Sequence, residues 1–219
     1  MIRKRGFRSA FHPLAWLALA LTAVPACGVS VNSPIVVRNG ETREGSLTTV
    51  NGGITIGQDC TIRGSCRAVN GSIKVGARSR VEGLQTVNGS IRVGEGVKVG
   101  DDVETVNGSI SLAAGTEVLG EVGTTNGRIE LTGSAVERDL RTVNGGIKLE
   151  KGSRVAGDIL VEEDLGSARE DAIRITLSGG SVVEGDIIVE DDEAVVEVRL
   201  RDGSRILGEV TNANVIEER

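Results

Sequence analysis

The sequence predicts an all-β fold, a single-stranded parallel β-helix (β-solenoid) of triangular cross-section with about nine coils of 18–19 residues. Three observations predict it. An Asn-Gly hexapeptide recurs every 18 or 19 residues, pairs of apolar residues two apart repeat in register with it, and no Phe, Trp, Tyr, His or Met follows residue 16. A long internal period means stacked repeats, each too small to bury an apolar face alone.

Residues 1–26 read as a secretory signal. Arg3, Lys4, Arg5 and Arg8 make a positive start, Leu14 to Val24 an apolar stretch, and Ala23 and Ala26 a small-residue end. The apolar stretch is too short for a bilayer span of ~20 residues. The run Val24-Pro25-Ala26-Cys27-Gly28 resembles a bacterial lipobox. That resemblance implies that Cys27 is lipidated and becomes the new N-terminus, with residues 27–30 as a short tether. It also implies an exported outer membrane lipoprotein, since no Asp stands at position 28. The alternative is ordinary cleavage after Ala26, giving a soluble periplasmic protein with Cys27 as a plain thiol.

Residues 31–216 are assigned to the β-helix. Thr-Val-Asn-Gly-Gly-Ile at Thr49 returns with small changes at Ala68, Thr86, Thr105, Thr124 and Thr142. The asparagines are Asn51, Asn70, Asn88, Asn107, Asn126 and Asn144, and Asn32 marks a degenerate first copy. Around Asn88, Ile91 and Val93 form one pair, Val97 and Val99 a second, and Leu84 and Val87 a looser third. Residues two apart on a strand face the same way, so each copy is three short strands with inward pairs. Ile54, Ile73, Ile91, Ile110, Ile129 and Ile147 are expected to form one inward column, and Ile56, Val75, Val93, Leu112, Leu131 and Leu149 another. β-branched residues, repeated Asn-Gly and the wrong apolar spacing oppose a helix. The Asn-Gly steps are expected at tight corners that use the left-handed conformation. Their amides are expected to stack as a hydrogen-bonded ladder. A narrow aliphatic prism leaves little room for rings, which accounts for their absence.

Beyond residue 150 the repeat takes another form. Gly152-Ser153-Arg154-Val155-Ala156-Gly157-Asp158-Ile159 returns at Gly180 and again at Gly203, 28 and 23 residues on. The excess over one lap is expected as polar insertions near 162–171 and 191–194, and stacking at ~4.8 Å makes the rod roughly 40 Å long.

The motif Gly-Ser-x-Val-x-Gly-Asp-Ile with alternating Ile and Val resembles the polymer-forming bactofilin family and related adhesin-like repeat domains of bacterial envelopes. The resemblance runs from about Val31 to Val210 and implies a right-handed coil without catalysis. It departs in two respects. Bactofilins are typically cytoplasmic, and they join through exposed end coils, whereas here Arg38, Glu41, Arg43 and Glu44 decorate the first coil and Glu217, Glu218 and Arg219 end the last.

Composition narrows the function classes. Removing residues 1–26 takes away four basic side chains and no acidic ones, leaving 21 against 31, a net charge of −10. An acidic chain without aromatic platforms is a poor nucleic-acid binder, and no such partner is expected. Hexapeptide acyltransferases share the 18-residue lap but depend on a histidine base, and the lone His12 lies in the signal. Acid pairs such as Asp101-Asp102 and Asp191-Asp192 read as solvated surface, and no enzyme, cofactor or metal site is expected. Cys60 and Cys66 both fall in inward columns. A disulfide between them and two buried thiols remain alternatives; reactive-thiol chemistry is not expected there. Residues 51–100 carry 7 basic and 3 acidic side chains, and residues 150–219 carry 8 and 18. The expected partners are therefore the membrane through the lipid, an envelope protein or glycan, and a second copy of the chain.

Overall fold

The computed structural model describes residues 28–163, 172–190 and 194–218. Residues 1–27, on which the signal and lipidation expectations fall, and the greater part of both expected insertions lie outside them. The described residues form a β-solenoid of about nine turns, built from three parallel sheets.

One lap shows the design. Leu84–Asn88 belongs to sheet A, Ile91–Val93 to sheet B and Lys98–Val99 to sheet C. Sheets A and B each hold ten strands and sheet C nine. Each strand between the two end coils hydrogen-bonds to the strand one lap before and one lap after, so the backbone groups that a single coil leaves open are satisfied by its neighbours. The register is set by like residues. Ile35, Ile54, Ile73, Ile91, Ile110, Ile129, Ile147 and Ile175 stand opposite one another along sheet B. Their companion column continues from Leu149 to Leu177 and Leu200.

The core is the dry interior of this prism. In the lap above, Ile91, Val93, Val97, Val99, Val103 and Thr105 are all buried. Each buried aliphatic side chain contributes roughly 1.5–3 kcal/mol. The third inward pair differs from expectation. Sheet A turns Leu84 and Thr86 inward and leaves Val87 half-buried on the outside. A hydroxyl can face the core there because Thr86 Oγ1 donates to Gly71 O at 2.8 Å, and Thr105 and Thr124 do the same toward Gly89 and Gly108.

The corners explain the rest of the repeat. At the turn between sheets B and C, a left-handed residue recurs once per lap: Gly40, Asp59, Arg78, Gly96, Gly115, Gly133 and Lys151. Beneath them runs a buried column of Cys60, Ser79, Val97, Thr116, Ser134, Ser153, Ser181 and Ser204. Its hydroxyls satisfy corner carbonyls, as when Ser79 Oγ donates to Gly57 O and Thr116 Oγ1 to Gly94 O, both at 2.9 Å.

The Asn-Gly step uses positive φ less than expected: none of its asparagines has one, and of its glycines Gly52 and Gly127 do, each at 156°. Its glycine answers to close approach instead. A Cβ on Gly71, Gly89, Gly108, Gly127 or Gly145 would strike the carbonyl of the glycine one lap earlier.

Candidate functional site

Charged and amide side chains sit on the outer surface of the rod, while the interior holds aliphatic side chains, two thiols and hydroxyls, several of them bonded to backbone carbonyls. The six asparagines and Asn32 make a continuous ladder at the edge between sheets A and B. Asn51 Nδ2 donates to Asn32 Oδ1, and each later amide donates to the one before it, through Asn70, Asn88, Asn107, Asn126 and Asn144, at 2.9–3.3 Å. All of these side chains are exposed. An amide offers two N–H donors, and the ladder takes one from each.

Cys27 lies outside the described residues. Cys60 and Cys66 are both buried, with free thiols in the structure. They occupy different columns. Cys60 sits in the corner column, with Sγ 3.0 Å from Arg38 O, while Cys66 opens a sheet A strand opposite Leu47 and Leu84.

A second ladder escaped the sequence reading. Asp102 Oδ1 accepts the Glu121 N–H, Asp139 the Asp158 N–H, Asp158 the Asp186 N–H and Asp186 the Glu209 N–H, at 2.7–2.8 Å. The residues before those amides are Gly120, Gly157, Gly185 and Gly208, and a Cβ on any of them would collide with the carboxylate. The Gly-Asp of the repeat motif is thus one half of a cap in each lap. Asp102 reads as a solvated acid only while its lap-to-lap partner is hidden.

Charge is arranged differently on the three faces. On sheet A, Arg67 Nε donates to Gln85 Oε1 and Gln85 Nε2 to Glu104 Oε2, at 2.9 and 3.1 Å. Burial and the nearby Asp102 push the Glu104 carboxyl above its ordinary value, against the Gln85 hydrogen bond. Further along, Arg141 pairs with Glu121 at 2.9 Å and Glu162 at 3.4 Å. Burial pushes both glutamates up while Arg141 opposes the rise. On sheet C the cations are mostly answered, by Arg63–Glu44, Lys98–Glu117 and Arg154 with Glu137 and Glu184. Hydrogen bonds from Arg154 hold Glu184 below its ordinary value, and Arg78 does the same to Asp59.

An open cleft of about 540 Å³ lies on sheet B where the Asn ladder ends, edged by Arg128, Lys148 and Arg174. Each of these cations has a nearby acid: Glu130 at 3.5 Å, Glu150 at 2.7 Å and Glu197 at 3.8 Å. Comparison with family models, curated proteins and solved structures found no match to this chain. Among the described residues, no three His, Cys, Asp or Glu side chains converge as a metal ligand set. What the arrangement offers chemically is repeated presentation: one amide, hydroxyl or charge per lap on flat faces.

Proposed function

We propose that this chain is an exported, lipid-anchored, non-catalytic β-solenoid that serves as an envelope scaffold or adhesin-like binding module. The observation that carries the reading is the set of outward columns held in register by three continuous sheets. Such columns suit a long partner, because every lap repeats nearly the same contacts. The lipobox-like run at Cys27 supports the anchor, which starts the rod close to the membrane. Incorporation of labelled palmitate into the wild-type protein and its loss in Cys27→Ser checks the anchor; an unlabelled wild-type protein removes it. Crosslinking in cells checks the binding role, with an attached envelope component expected and none recovered overturning it.

A second reading, a bactofilin-like head-to-tail polymer, has one observation in its favour. Val29, Val31 and Val36 are exposed at the first coil, and Leu207, Val215 and Ile216 at the last. Against it, the end charges fold back onto their neighbours, as in Arg63–Glu44 and Arg201–Glu218. Sedimentation at rising concentration separates the readings: a persistent monomer eliminates the polymer.

A further inference from the structure

We propose that the outer face of sheet B over its first five strands is a docking strip for a linear carboxylated polysaccharide lying along the rod. Lys74 and Arg92 are its charge anchors. This rests on the binding-module reading and names its partner.

The outward residues of those strands are Val36, Thr55, Lys74, Arg92 and Ser111, stacked in register. No carboxylate is among them. Lys74 and Arg92 stand directly opposite each other and are both exposed. Among the described residues neither makes an ion pair or a side-chain hydrogen bond. Like charges directly opposed on neighbouring strands are destabilising. Elsewhere on this sheet directly opposed charges differ in sign: Glu130 faces Lys148 further along the same column, and Arg174 faces Glu197 two positions before it on their strands. Arg80 and Lys98 are also opposed on sheet C, but Lys98 Nζ turns to Glu117 at 2.7 Å. The nearest acid after Arg92, Glu95, stands at the following corner, beyond the strand, and Asp59 is held by Arg78.

The flank of the strip supplies hydrogen bonds. Ser72 and Ser90 each accept the amide of the next lap through Oγ, leaving the hydroxyl proton to donate. The exposed amides of Asn70, Asn88 and Asn107 each keep one N–H unused by the ladder. Laps ~4.8 Å apart place the two cations about one sugar residue apart, so carboxylates on successive sugars meet both. Nucleic acid fits less well, because the strip has no ring to stack on a base. A membrane surface fits less well too, since lipid-binding basic clusters gather about four to eight cations.

The experiment measures binding of the purified protein to polygalacturonate, with its methyl-esterified form as the uncharged probe. Wild type is expected to bind the acid form in a salt-sensitive manner and to ignore the ester. The double variant K74E/R92E is expected to lose roughly tenfold or more in affinity. The charge-matched variant K148E/R174E, on the same sheet, is expected to keep wild-type affinity. Lys74, Arg92 and Arg174 are exposed and Lys148 is half-buried; an unchanged melting curve confirms that both variants fold, and K74A/R92A replaces the first if it does not. Full affinity in K74E/R92E, equal losses in both variants, or wild-type binding to phosphatidylglycerol vesicles but not to the polymer each overturns the proposal. If the polymer is not bound while crosslinking still recovers an envelope component, this proposal falls and the binding-module reading stands.

Discussion

Asn107 carries two bonds of the exposed amide ladder, donating to Asn88 and accepting from Asn126. Replacing it with Leu removes both, but water can reach the two orphaned amides. The expected cost is therefore about 1–3 kcal/mol, from two bonds of roughly 0.5–1.5 each, read as a lowered unfolding midpoint. Its neighbour Gly108 answers to a harder constraint. A Cβ there would sit against the Gly89 carbonyl of the previous lap, and that atom belongs to paired backbone. Gly108→Ala is expected to destabilise by roughly 1–3 kcal/mol, as overpacking does. If the alanine variant melts with wild type, the close-approach account of the Asn-Gly step is wrong.

The strands of sheet A set a different kind of test. Glu104 lies on an outward column yet is partly covered, and its carboxyl is pushed up by burial first and then by Asp102. A carboxyl whose folded value lies above its unfolded one binds its proton more tightly when folded. Its favourable contribution is present below the ordinary value of 4.5 and is lost as pH rises through the folded value. At neutral pH the ionised side chain works against folding. Glu104→Gln keeps an acceptor for Gln85 and removes the charge. The variant is expected to melt higher than wild type at pH 7, with the gap closing as pH falls through about 4.5. A gap that widens on acidification contradicts the direction of the shift.

The rod as a whole is close to one-dimensional, each lap touching mainly the laps beside it. Thr86 is the register partner of Thr105 and Asn88 of Asn107. Deleting residues 86–104 therefore joins Gln85 to Thr105 one lap on, with every inward column intact. The shortened chain is expected to fold with the same circular dichroism per residue and to melt a few degrees lower. Loss of the cooperative transition would mean that stability is not distributed lap by lap. The end coils are the exceptions to uniformity, since their strands pair on one side only, and the last strand, Asn214–Glu217, is exposed throughout.

The lap length, the Ile and Val columns and the position of the ladder asparagines were legible because a repeat makes register visible: like residues recur where strands pair. Alternation alone placed Ile91 and Val93 inward. It misjudged Val87, because polarity predicts facing only when a buried hydroxyl has no acceptor, and Thr86 has one in Gly71. It also misplaced the left-handed residues, since Asp59, Arg78 and Lys151 carry that conformation with no composition signal of their own. The Asp102, Asp139, Asp158 and Asp186 caps, the separation of Cys60 from Cys66, and the opposed cations Lys74 and Arg92 all depend on what lies one lap away. The chain by itself determined that laps stack, because aliphatic pairs at a fixed period can be buried in no other way. Which side chains meet across laps was decided by the tertiary structure, because those partners stand 18 or more residues apart and become neighbours only when the coil closes.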